Sequence, residues 1–107
     1  MNRVGFIFKI RQDKLEDYKA QHKAVWKEML DALHRTGWHN YSIFAREDGL
    51  LFGYFETPVD LKTAQAGMSK EAINTTWQNF MAPYFENLGG LHPDEGMIEL
   101  EEVFHLD

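Results

Sequence analysis

The sequence predicts an α+β domain in which four strands and two helical regions follow one another as β-α-β-β-α-β. Three observations carry that prediction. Residues 3–10 alternate apolar side chains with a period of two. An Asp48-Gly49 pair separates two further strand-like runs, a strong hairpin signal. The stretch from about Asp13 to Thr36 repeats its large side chains at helical spacing. With 107 residues the chain is long enough for one core, so a single domain spanning 1–107 is expected.

Taken in order, Arg3 to Ile10 places Val4, Phe6, Phe8 and Ile10 on one face and Gly5, Ile7 and Lys9 on the other. Both faces carry apolar groups, so both should be covered. The first helix is expected to start at Asp13, with Glu16 three residues on as in a capping box, and to end at Gly37. At about 100° per residue, Leu15, Tyr18, His22, Val25, Trp26, Met29 and Leu33 fall within one stripe. Trp38 to Arg46 and Leu50 to Glu56 are the two hairpin strands. A second helical region runs from about Val59 to Leu88, interrupted near Gly67 and Met68 and kinked or restarted at Pro83. Asn87 to Gly96 has the glycines and proline of a loop, and Met97 to Leu106 reads as the last strand.

A split βαβ order of this kind folds as an antiparallel four-stranded sheet with its helices on one side, the ferredoxin-like arrangement. Two helical regions cover one face of such a sheet. The other face still carries apolar residues, which predicts a homodimer.

Composition narrows the partners. Eleven Lys+Arg against 17 Asp+Glu give a net charge of −6, which argues against a nucleic-acid partner. Lys19, Lys23 and Lys27 have the spacing of a solvated helix face, and Gly89-Gly90 is not followed by a phosphate-binding helix. No apolar run reaches the 18 or so residues of a membrane span. The first residues read as a strand rather than a signal peptide, and there are no cysteines, so the expected location is cytoplasmic. A small molecule and a second copy of the chain remain as the expected partners.

The chemistry should sit on the first helix. Its inner stripe holds a phenol, an imidazole and an indole where Leu or Ala is usual, and each has a polar tip that needs a partner when buried. One reading is a core helix whose His22 is satisfied by a neighbouring carbonyl. The other is a pocket wall with an acid–base group at its centre, since an imidazole titrates near neutrality. Tyr18 lies one turn before His22, and Tyr41 shares a strand face with His39 and Ile43 and can approach from the sheet. Trp77 and Gln78 add a stacking surface and an amide, although Trp77 also shares a core stripe with Phe80 and Tyr84. Indoles, phenols and amides together are a common way of holding sugars. His34, His92 and His105 read as surface or capping groups, and no His or carboxylate spacing suits a metal site. Glu99, Glu101 and Glu102 read as an acidic edge that discourages aggregation. Pattern alone therefore describes an aromatic pocket with one histidine, and not a reaction.

Over its whole length the chain resembles the L-rhamnose mutarotase family. The resemblance rests on Tyr18-x-x-x-His22-x-x-x-Trp26-x-Glu28-Met29, on Gly37-x-His39-Asn40-Tyr41-Ser42-Ile43, on Trp77-Gln78, and on the closing run from Leu100 to Leu106. It implies a ferredoxin-like dimeric α/β barrel that interconverts the α and β anomers of L-rhamnose without metal or cofactor. By resemblance His22 takes the proton-donor position, Tyr18 and Tyr41 take sugar-binding positions, and Trp77 and Gln78 take the adjacent pair on the second helix. Some members have two tryptophans there, and Gln78 departs from that pattern. The partner base is left open among a tyrosine, a carboxylate of the last strand and a water. Met29, Ile43, Phe52 and Phe80 are candidates for an apolar wall against a deoxy-sugar methyl. Two rivals use the same fold: a monooxygenase or haem-binding protein with His22 on iron, and a dimer that binds a sugar without turning it over.

Overall fold

The computed structural model describes residues 1–85 and 96–107. Strands β1 (Asn2–Lys9), β2 (His39–Ala45), β3 (Leu50–Thr57) and β4 (Ile98–Leu100) form one antiparallel sheet in the order β2-β3-β1-β4. Helices α1 (Leu15–His22) and α2 (Lys27–Arg35) connect β1 to β2, and α3 (Leu61–Ser69) and α4 (Ala72–Met81) follow β3. This is the split βαβ arrangement expected from the element order.

The period-two pattern decides the faces. Val4, Phe6, Phe8 and Ile10 are all buried beneath the helices, as are Leu51 and Phe55 on β3. Phe6 lies at the centre and is fully enclosed, with Phe8, Trp38, Tyr41 and Phe55 around its ring. Its ring crosses Gly53, where an added Cβ would stand 2.3 Å from the Phe6 Cζ. Any side chain at 53 would therefore push the central ring off the sheet. On the opposite face the register aligns Ile7 with Phe52 and Ile98, Phe52 with Phe44, and Gly5 with Leu100. Phe44 and Ile98 are about 60% exposed there (62% and 60%), so this apolar face is uncovered in the single chain.

Turn chemistry accounts for two connections. Gly49 has φ +92°, and its amide group closes on Arg46 at 3.0 Å as the hairpin signal predicts. Gly37, at φ +93°, ends α2 in a Schellman motif: Gly37 N donates to His34 O at 3.4 Å and Trp38 N to Leu33 O at 2.9 Å. Trp38 is thereby turned into the core, stacked on Phe55 with ring centres 4.0 Å apart, and its Nε1 donates to Ala64 O at 3.2 Å.

Four expectations need correction. The first helical region is not one helix. The helix stops at His22, and α2 restarts at Lys27 after an extended Trp26 (ψ 137°). Lys23 N and Ala24 N bond three residues back, to Ala20 O and Gln21 O, which tightens and closes the first helix. Asp13 does not cap it, because Asp13 lies inside a 3₁₀ turn, Gln12–Lys14, and Lys14 precedes α1 without a side-chain cap. In the second region the break falls at Lys70 and Glu71, not at Gly67 and Met68. Asp60 begins α3 by accepting from Thr63 N at 2.8 Å, and Pro83 sits in a 3₁₀ turn, Ala82–Tyr84. Phe85 leaves that turn extended and bridges to Ile10, so the helical region does not run on through Phe85. Finally, β4 stops at Leu100 rather than Leu106. The residues after it are exposed and tied to β1 by Arg3, whose guanidinium donates to both carboxylate oxygens of Glu102 at 2.8 and 3.1 Å. The loop expected at Asn87 to Gly96, with Gly89-Gly90, His92 and the end of the helical region at Leu88, lies outside the described residues except for Gly96.

Gly53→Ala should destabilise the fold by about 1–3 kcal/mol through overpacking against Phe6. Urea unfolding should show this as a lower midpoint with an unchanged slope.

Candidate active site

Between the helices and the sheet lies a pocket of about 330 Å³, at the small end of the roughly 300–1,000 Å³ range of ligand sites. All five residues singled out in the sequence line it: Tyr18 and His22 from α1, Tyr41 from β2, and Trp77 and Gln78 from α4. Three elements that are distant in the chain thus converge on one imidazole.

The imidazole is held by its own helix. His22 Nδ1 lies 2.9 Å from Tyr18 O, and a carbonyl oxygen only accepts, so Nδ1 carries the hydrogen. The nitrogen that takes and gives a proton is therefore Nε2. Tyr18 stacks on the His22 ring at 4.0 Å and 26°, and Trp77 meets it edge-on at 5.6 Å and 80°. Burial pushes His22 below the ordinary histidine value, and the hydrogen bond to the Tyr18 carbonyl offsets part of that shift. The sequence offered two readings of His22, a carbonyl-satisfied histidine and an acid–base group in a pocket. Both descriptions fit, because one nitrogen meets the carbonyl and the other remains for chemistry.

Tyr18 is buried, and desolvation, with the proximity of Tyr41 second, raises its phenol far above the usual range. It is thus a hydrogen-bond donor rather than a base. Tyr84 braces it from below: its hydroxyl donates to Asp17 Oδ2 at 2.6 Å and its ring meets Tyr18 edge-on at 6.0 Å. Tyr41 rests on Trp38 and Phe6. It lies in an irregular stretch of β2, where the register with β3 shifts between His39 and Ser42 and Asn40 takes φ 49°. Such a bulge re-aims the neighbouring side chains, and Asn tolerates the left-handed conformation.

Other expectations divide. Met29 and Ile43 line the pocket, with Met68, Met81 and Met97 beside them, and form an apolar wall. Phe52 is on the opposite face of the sheet, and Phe80 and Trp26 pack against Trp77 without joining the lining. No carboxylate lines the pocket among the described residues, so the last strand supplies no base there. Glu102 is committed to Arg3. Among the described residues no group of three or more His, Cys, Asp or Glu is placed to hold a metal ion. None of their helices is long and apolar enough to cross a membrane. One polar lining residue escaped the sequence reading: Asn74, buried one turn before Gln78 and bonded to it. Its only signal was a second amide on the inner face of a helix.

Fold and pocket together define a ferredoxin-like α+β domain with an aromatic-lined pocket that holds one histidine. A family model described as L-rhamnose mutarotase matches residues 3–106. The chain is 36% identical to an L-rhamnose mutarotase of Oceanobacillus iheyensis and 38% identical to one of Bacillus subtilis, each match covering 100% of both chains. It also resembles a crystal structure of L-rhamnose mutarotase from Formosa agariphila, with a TM-score of 0.77 and 28% identity over 100% of both chains. The chain belongs to the L-rhamnose mutarotase family, isomerases that act on sugar anomers. These comparisons lend no support to the monooxygenase, haem-binding or binding-only alternatives.

The direction of the His22 shift has a consequence for stability. Between the ordinary histidine value, near 6.5, and the lower value in the fold, the unfolded chain binds a proton that the native protein resists. Stability from this residue is therefore present above about pH 6.5 and is lost as pH falls through that window. Urea midpoints measured between about pH 7 and 5 should fall less steeply in His22→Asn than in the native sequence.

Proposed function

We propose that this pocket binds L-rhamnose and interconverts its α and β anomers, with His22 as the proton donor. Ring opening needs a proton delivered to the ring oxygen as one leaves the anomeric hydroxyl. Rotation about C1–C2 and reclosure then give the other anomer. The observation that carries the reading is the fixed imidazole: the Tyr18 carbonyl holds Nδ1–H and leaves Nε2 to act in an aromatic-lined pocket. Burial makes the imidazolium a stronger acid, which favours passing its proton to the ring oxygen. In this reading Trp77 covers an apolar face of the pyranose, Tyr18, Tyr41 and Gln78 meet hydroxyls, and the Met29 and Ile43 wall takes the C6 methyl. Neither metal nor cofactor enters the proposed chemistry, and the cysteine-free chain suits a cytoplasmic setting.

The active form in this proposal is a homodimer that buries the open sheet face, giving a dimeric α/β barrel. Its support is the run of Ile7, Phe44, Phe52, Ile98 and Leu100 on that face, too apolar to be left in water.

Two measurements test these proposals. Magnetisation exchange between the anomeric protons of L-rhamnose should be accelerated by catalytic amounts of protein, and His22→Ala should lose about 10²–10⁴ of that acceleration. Full exchange in folded His22→Ala would reject the assignment. Sedimentation equilibrium should give twice the 12.5 kDa chain mass, with Phe44→Glu moving the protein toward monomer.

A further inference from the structure

The polar side of the pocket contains a pair of amides whose geometry goes beyond a simple contact. Asn74 and Gln78 stand one turn apart on α4, are 4% and 8% exposed, and both line the pocket. Gln78 Nε2 donates to Asn74 Oδ1 at 3.0 Å. That bond decides which end of the Gln78 amide is presented. With Nε2 held by Asn74, a half-turn of the amide would bring two carbonyl oxygens together, so Oε1 stays on the other side. Gln78 Oε1 makes no hydrogen bond among the described residues. Yet no fully buried side-chain nitrogen or oxygen there lacks a partner. Oε1 therefore reaches open space, and the space that Gln78 lines is the pocket. The neighbouring polar groups point to donation: a Tyr18 phenol kept protonated by burial and an indole N–H on Trp77. A pyranose hydroxyl both donates and accepts, and its hydrogen needs an acceptor. Oε1 supplies one that only accepts, apart from the His22 Nε2 that the proposed chemistry uses.

We propose that Asn74 is a positioning residue: by holding Gln78 Nε2 it presents Gln78 Oε1 to one hydroxyl hydrogen of the bound sugar, and the pair thereby selects sugars that carry that hydroxyl. The inference rests on the reading that the pocket binds a pyranose. A site built to hydrogen-bond a hydroxyl rejects analogues that lack it, because its own polar group is then left unpaired. Asn74 touches no reacting atom in this scheme, and its effect on the sugar passes through Gln78.

The test is a double-mutant cycle on the full chain with L-rhamnose as the probe. Asn74→Leu, Gln78→Leu and the double variant are compared by anomer-exchange kinetics and by NMR titration of sugar binding. Asn74→Leu should raise KM and Kd about three- to tenfold, the scale of one neutral hydrogen bond, with kcat within about twofold. The double variant should be no worse than Gln78→Leu alone. Asn74→Asp, which keeps an acceptor for Nε2, should recover much of the affinity. Losses that multiply in the double variant, or a fall in kcat at constant KM, would overturn the proposal. Should Asn74→Leu fail to fold, monodeoxy rhamnoses carry the test: one should bind more weakly than L-rhamnose to the native sequence but not to Gln78→Leu. Equal rankings of the analogues in both proteins would overturn it. Native protein that binds L-rhamnose without accelerating exchange rejects the mutarotase activity while the titrations still read the Asn74–Gln78 coupling. Native protein that does not bind the sugar rejects both.

Discussion

The hydrogen bond between His22 Nδ1 and the Tyr18 carbonyl organises the site. It joins the imidazole to the carbonyl one turn back, at the C-terminal end of α1, where the last residue of the helix, His22, lies above Tyr18. The bond assigns the tautomer, turns Nε2 toward the cavity and stacks the ring on Tyr18. The same helix end also carries partial negative charge, which favours an imidazolium and opposes burial. Burial prevails in the net direction of the shift. Among the described residues no carboxylate lines the pocket to hold that imidazole, and the Tyr18 carbonyl takes the orienting place such a partner often has.

A second constraint is that the helices cover only one side of the sheet. The covered side holds Phe6 at its centre, with Trp38, Tyr41 and Phe55 around it, and this aromatic floor orients Tyr41 from below. Gly53 makes the floor possible, since no other residue leaves room for the Phe6 ring against the backbone. The uncovered side is apolar at Phe44, Phe52 and Ile98. The domain thus has a pocket on one side of its sheet and an uncovered apolar face on the other, and the β1 strand contributes to both through its alternating faces.

Much of this was legible in the sequence because it depends on near neighbours. Period two in residues 3–10 sorted Phe6 and Phe8 from Ile7, and Asp48-Gly49 announced a turn that needs a positive φ. Helical spacing placed Tyr18, His22 and Met29 on one side, and that survived even though the helix itself breaks after His22. The break carried no warning: Lys23, Ala24, Val25 and Trp26 include no glycine or proline. In the structure the half-buried Trp26 of this break meets Trp77 edge-on at 4.8 Å, a contact between distant segments that spacing along the chain does not reveal. Asp13 illustrates the reverse case, a residue with good capping chemistry whose position was taken over by a 3₁₀ turn.

By itself the sequence determined the element order, the inward faces, the turns at Gly37 and Gly49, and the set of residues with chemistry to offer. It did so because backbone period, positive-φ demand and side-chain type are local properties. Only the tertiary structure decided how those residues serve a site. It ended the helix at the imidazole, set a bulge in β2 beside Tyr41, placed Phe52 on the far face and joined the Gln78 amide to Asn74. Each of these outcomes depends on what a distant segment brings within a few ångströms. Spacing along one strand or helix cannot specify that.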